Sequence, residues 1–245
     1  MIWSWIPSNL GLIWHLTWEN AYIGVVSALI GLLVSVPLGI ACVRLSWLYP
    51  PLLSLTSAVY AIPSLAIFVV LIAYTGLTAE TVIIALTLFS LCVLLPNVVD
   101  GLHSVPAPVR QAATAMGFGP LRRLVAVELP ISIPVVMAGL RVAMVSSISL
   151  ASLGQLIGVS SLGYLFIDGL QRDFPTEIWI GIFLVILLAL VMDLLLVGVQ
   201  RLLTPWRRGE RRVRRHGAAT GDGAAGNGTA GDGAVPAMVA AGGAA

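Results

Sequence analysis

Five stretches of this chain, roughly 21–43, 52–74, 79–99, 129–151 and 178–203, are apolar almost without interruption. Each reaches or exceeds the ~20 residues that carry a helix across the hydrocarbon core of a bilayer. That pattern excludes an ordinary soluble fold. In lipid every backbone N–H and C=O must be satisfied within its own segment, so the expected fold is an all-α integral membrane protein with about five transmembrane helices. Pro37, Pro63 and Pro134 fall inside the stretches, and in a helix bundle neighbouring helices re-satisfy the groups that proline frees. Composition agrees: 58% of the residues are hydrophobic and 10% charged, against about 25% charged in a soluble domain. Cys42 and Cys92 both sit within spans and read as small apolar residues, with neither a disulfide nor a metal site expected.

Arginine placement sets the orientation, because cytoplasmic loops carry the excess of basic residues. With five spans and an outside N-terminus, Arg44, Arg110, Arg122, Arg123, Arg201 and the run Arg207 to Arg215 all fall inside, while Arg172 falls outside and Arg141 within a span. The segment 150–171 is partly apolar but broken by glycines and serines. If it crossed, the C-terminal arginines would move outside, so it is expected to be a short helix or re-entrant piece in the outer half. Glu19, Glu80, Asp168, Asp173 and Glu177 then face outward. Residues 1–20 hold Trp3, Trp5, Trp14 and Trp18, the density of an interfacial belt, and are expected as an outer interfacial segment before a transmembrane domain at 21–203. The first arginine is Arg44, so no cleaved signal peptide is expected. The polybasic segment 204–216 suits anionic lipid at the inner surface, at about 1 kcal/mol per arginine. The Gly/Ala-rich tail 217–245 is expected to be disordered.

One polar loop, 105–127, interrupts the apolar pattern. Ser104, Pro106 and Pro108 form a helix-start signature. The helix is expected to run through Met116 and stop at Gly117, a left-handed C-cap position. A second short helix is expected from Pro120, with Leu121, Leu124 and Val125 on one face, and Leu129-Pro130 opens the next span. Ala112 and Ala113 are small enough for a partner's groove to approach the backbone, and Arg110, Arg122 and Arg123 offer charge pairing. An ordered polar loop of this kind is expected to be gripped by another protein.

The spacing of Gln111, Ala112, Ala113, Gly117, Val127, Leu129 and Pro130 resembles the EAA loop of ABC importer permeases, with Gln111 in place of the leading glutamate. In that family the loop is a cytoplasmic coupling helix held in a cleft of the ATP-binding subunit. The stretches Ala61 to Ala66 (AIPSLA), Leu129 to Leu140 (LPISIPVVMAGL) and Ile157 to Gly163 (IGVSSLG) resemble the glycine betaine, carnitine, choline and proline branch, Ser160 and Ser161 replacing two glycines of its Gly-Gly-Leu-Gly element. The resemblance covers roughly 15–205. It implies the permease subunit of an ATP-driven osmoprotectant importer in the plasma membrane, with the loop and C-terminus cytoplasmic. It also implies three protein partners: an ATP-binding subunit, an extracytoplasmic solute-binding protein and a second permease subunit, the same or homologous. Selectivity would sit mainly in that binding protein, where aromatic cages hold quaternary ammonium by cation–π contact. An importer of another small polar solute, such as an amino acid, is the alternative.

Arg141 and Asp193 are charged residues within spans, costly unless paired or facing water. Each lies about 10–12 residues from the same membrane face, at similar depth for a rise of 1.5 Å per residue. An ion pair tethering the fourth and fifth spans is expected, with a place in the translocation path as the alternative. Pro63, Ser64, Ser146 and Ser149 are candidate pathway residues, though serines in spans equally serve helix packing. The sequence has no phosphate-binding Gly-x-x-x-x-Gly-Lys loop and no His-Glu-x-x-His. No catalytic residue, cofactor or nucleic-acid partner is expected, and ATP hydrolysis would belong to a partner. An ion-coupled secondary carrier using Arg141, Asp193 and Glu128 is the rival from another class; such folds commonly show internal repeats, and none is apparent here.

Overall fold

The computed structural model describes residues 5–205, and every regular element among them is helical. Trp3, the polybasic run from Arg207 and the Gly/Ala-rich 217–245 lie outside the described residues. After a single turn, α1 (Trp5–Ser8), come α2 (Leu10–Arg44), α3 (Tyr49–Ala61), α4 (Ser64–Thr75) and α5 (Ala79–His103). The polar loop folds as α6 (Ala107–Ala115) and α7 (Pro120–Arg123), followed by α8 (Leu129–Ala151), α9 (Gly163–Gln171) and α10 (Pro175–Leu203).

Packing between glycines and their neighbours fixes the direction of each helix. Gly31 abuts Ser90 and Gly39 abuts Val98, so α2 and α5 run the same way. Gly139 abuts Asn97 and Gly101 abuts Ser132, so α8 runs back along α5. Gln200 Nε2 donates to the Pro134 carbonyl and Arg141 pairs with Asp193, so α10 runs antiparallel to α8. Because α2 and α5 are parallel, α3 and α4 must carry the chain back between them. Four helices are long and apolar enough to cross a bilayer, and the bent α3–α4 pair, counted as one broken span, makes the fifth of the five expected.

Three boundaries differ from expectation. The first helix begins at Leu10 rather than near 21, and residues 10–20 are part of it. At 35 residues it is about 52 Å long for a rise of 1.5 Å per residue, well beyond a bilayer core. Trp14 and Trp18 do lie exposed on its surface, while Asn20 is fully buried and donates to the Ile148 carbonyl at 3.1 Å. The second pass, expected as one span over 52–74, is instead two helices bent by 96°. Pro63 disfavours the α-region for the residue before it, and Ile62 is extended at φ −74°, ψ 131°. Pro37, Pro96 and Pro134 leave their helices whole. Those helices are packed on several sides, whereas α3 buries only Thr56 and α4 only Phe68.

The third difference lies at the start of α8. The second short helix is not separate: Pro120 to Ile157 is one continuous apolar helical stretch, joined through a π-turn at Leu124–Glu128. Pro130 has no N–H to offer the Ala126 carbonyl and its ring crowds that carbonyl; the widened turn absorbs the conflict.

Central to the bundle is α5, which packs on α2, α8, α3 and α4. Leu94, Met137, Ile148, Leu165 and Leu188 form one apolar core across α5, α8, α9 and α10. The segment expected not to cross does not. After Ala151 comes a 3₁₀-turn, Ser152–Ile157, then Gly158 at φ 83° and the nine-residue α9, too short to span a bilayer. Within the Ile157 to Gly163 element, Ser161 is fully buried and donates to the Ser152 carbonyl at 3.2 Å. A Cβ on Gly163 would overlap that same carbonyl oxygen. Glu177 is 1% exposed, because the first turn of α10 packs it against α9 beside Asp168 and Arg172.

Candidate functional site

The loop between α5 and α8 follows its sequence signals closely at first. Pro106 is extended at φ −60°, ψ 139° and caps α6, whose first two turns carry Pro108. The helix ends at Ala115, and Gly117 takes φ 80°, a region open to glycine at little cost. Nothing lies within 4 Å of where a Cβ on Gly117 or Gly119 would sit. The turn between α6 and α7 therefore passes through open space.

The apolar residues of this loop divide sharply. Val109 and Ala112 are exposed along one stripe of α6 and Met116 just past its end, and Leu121 and Val125 are exposed beyond the turn. Met116 is 69% exposed and Leu121 68%. Ala113 is instead buried at 1%, against the protein itself. Of the two adjacent alanines only Ala112 is open to a partner. Leu124 is also buried, so it does not share a face with Leu121 and Val125 as expected; the π-turn rotates it inward. Gln111 is exposed, and Val127, Leu129 and Pro130 are half-buried at the base of α8.

The loop's arginines are committed within the chain. Arg110 donates to the Val105 carbonyl at 2.9 Å. Arg122 lies over the Phe118 ring, 4.6 Å from its centroid, a cation–π geometry. Arg123 donates from Nε to Glu128 Oε1 at 2.8 Å and from a terminal nitrogen to Thr114 Oγ1 at 3.1 Å. Sequence reasoning missed this last arrangement. Residues five apart do not share an α-helical face, and only the π-turn brings Arg123 over Glu128.

Within the bundle, Arg141 donates to both carboxylate oxygens of Asp193, each at 2.6 Å. This bidentate pair is half-buried and joins α8 to α10. Ser147 meets Ser90 Oγ at 2.9 Å, joining α8 to α5, while Ser149 is exposed and Ser146 half-buried. Pro63 and Ser64 stand at the α3–α4 bend, and no hydrogen bond among the described residues links them to Ser146 or Ser149. A cavity of about 260 Å³ between α3 and α5 is lined by Thr56, Ser57, Tyr60 and Cys92. Among the described residues no cluster of three potential metal ligands occurs, and both cysteines are free.

Comparison with known proteins covers nearly all of this architecture. Residues 12–209 match the family described as binding-protein-dependent transport system inner membrane component. The osmoprotectant import permease protein OsmW of Salmonella typhimurium is 31% identical over 80% of this chain and 94% of its own. The choline transport system permease protein OpuBB of Bacillus subtilis is 32% identical over 82% of this chain and 93% of its own. Among solved structures, a chain of the MetNI methionine ABC transporter in inward-facing conformation superposes with a TM-score of 0.69. It shares 19% identity, over 79% of this chain and 98% of that one.

Proposed function

The chain belongs to the family of binding-protein-dependent transport system inner membrane components, and we propose that it is the permease subunit of an ATP-driven importer of osmoprotectants such as glycine betaine, choline or carnitine. It is a multi-pass membrane protein of a transporter, not an enzyme in its own right. The relatives named for osmoprotectant and choline transport support the substrate class. One observation carries the mechanism: the arginine-rich end of the bundle displays a bare apolar stripe, Val109, Ala112 and Met116, hinged at Gly117 beside Leu121 and Val125. Exposed apolar residues rimmed by polar ones mark a protein contact. On this reading the occupant is the cytoplasmic ATP-binding subunit, with Gln111, Ala112, Gly117, Val127, Leu129 and Pro130 shaping the contact.

Nucleotide-driven closure of that subunit pushes the loop, and the spans alternate between outward- and inward-facing states. A second permease subunit completes the path, an external solute-binding protein delivers the cargo, and the C-terminus lies in the cytoplasm. The Arg141–Asp193 pair holds α8 and α10 together as they move, since paired charges are tolerated in a bundle where lone ones are not. Ser146, Ser149, Pro63 and Ser64 remain pathway candidates.

The test is uptake of radiolabelled choline and glycine betaine in cells that express the full transporter. Uptake blocked by vanadate, and persisting when the proton gradient is collapsed, is the expected result. Uptake that ignores vanadate and dies with the gradient points to an ion-coupled carrier instead. Transport of an amino acid with neither quaternary amine moves the substrate to another branch.

A further inference from the structure

We propose that Arg123 is the positioning residue that ties α6 to α8, so that a push on α6 moves the membrane helix rather than bending the turn between them. The proposal rests on the coupling role given to this loop above. Covalently, α6 and α7 are joined through Met116 to Gly119, a stretch with two glycines and open space at both glycine positions. Such a connection absorbs displacement instead of passing it on. The Arg123 guanidinium bypasses it. One edge holds Thr114 Oγ1 at 3.1 Å in the last turn of α6, and Nε holds Glu128 at 2.8 Å at the foot of α8. Thr114 Oγ1 also donates to the Arg110 carbonyl at 2.9 Å, which fixes its hydroxyl on α6.

Two features mark this bridge as built rather than incidental. First, in an α-helix residues 123 and 128 would stand about 140° apart around the axis. Here the Leu129 N–H reaches the Leu124 carbonyl across the π-turn, and that extra residue in the turn brings the pair together. Turns of this kind recur at functional sites. Second, Glu128 is buried, and a buried carboxylate needs a charged or hydrogen-bonding partner. Arg123 fills that need. Lysine does not replace it, because a single ammonium lacks the planar fork that reaches two acceptors in fixed geometry.

The experiment uses the full transporter, reconstituted with its ATP-binding and solute-binding subunits in proteoliposomes, with choline uptake and ATP hydrolysis read in the same sample. R123A is expected to keep subunit assembly and hydrolysis while uptake per ATP falls about tenfold, within the range for residues that carry coupling without touching ligand. R123K is expected to fall with it, and the charge exchange R123E/E128R to recover part of the loss. A ratio in R123A within about twofold of the parent overturns the proposal. Should R123A fail to assemble, T114V removes only the α6 contact: a lower ratio supports the tie, and an unchanged ratio overturns it. A parent transporter that moves choline without hydrolysing ATP sinks the coupling reading and the tie together. Normal coupling in parent and variants alike sinks the tie alone.

Discussion

At one end α8 runs into a 3₁₀-turn and the short helix α9, where Ser161, Leu162 and Leu165 are sealed from solvent. At its other end it runs into a loop that leaves Met116, Leu121 and Val125 bare. The two ends use glycine and side-chain hydroxyls for opposite purposes. Glycine at 163 lets backbones meet where no side chain fits, whereas Gly117 supplies a backbone conformation in open space. Serine at 161 closes a buried hydrogen bond, whereas Thr114 offers its hydroxyl at the surface to Arg123. One end is finished within the chain. The other leaves its apolar side chains bare, the face that the proposed function assigns to a partner.

That contrast predicts where substitutions will hurt folding and where they will hurt coupling. The largest effect is expected from Gly163→Val, whose side chain would collide with the Ser152 carbonyl oxygen; loss of folded protein should be seen as an absent monodisperse peak in detergent. At the open end, Leu121→Asp should leave that peak intact but weaken capture of the ATP-binding subunit about a hundredfold in a pull-down titration, as loss of a docking hot spot does. If Leu121→Asp misfolds instead, the bare stripe belongs to the chain's own core and the contrast fails.

Asp193→Ala leaves the half-buried Arg141 without its carboxylate. Breaking one side of a fully buried pair costs about 3–5 kcal/mol, and the cost is well below that here because the pair is only half-buried. The double change R141A/D193A should melt higher than D193A alone, and a lower melting point would remove the tether reading. Gly117→Val should reduce uptake about tenfold with expression unchanged, since φ 80° costs a β-branched residue of order 1–3 kcal/mol. Normal uptake in that variant would show that the turn's shape is immaterial. The smallest effect is expected from Ser161→Ala, which deletes one buried hydrogen bond worth about 1 kcal/mol and should lower the melting temperature slightly without touching uptake.

Much of this protein was legible in its sequence because the relevant physics is local and additive. Bilayer crossing depends on a run of apolar side chains, so hydropathy marks the five stretches, and arginine placement sets aside 150–171. The stop at Gly117 and the start at Pro106 follow from backbone preferences of single residues. The resemblance of the loop and its flanks fixed the family that the comparisons show. Similar depth in two spans of the chain marks Arg141 and Asp193 as partners.

Tertiary structure decided the rest. Whether a proline bends a helix depends on how many neighbours brace it, which is why Pro63 breaks α3 from α4 while Pro37 and Pro96 do not. Ala112 and Ala113 look alike in sequence, and only packing turns one outward and the other in. The Arg123–Glu128 contact requires a turn with one residue more than an α-helix allows, a feature with no period for a pattern to detect. Properties summed along the chain can be read from its letters; those set by which surfaces meet exist only once the helices have packed.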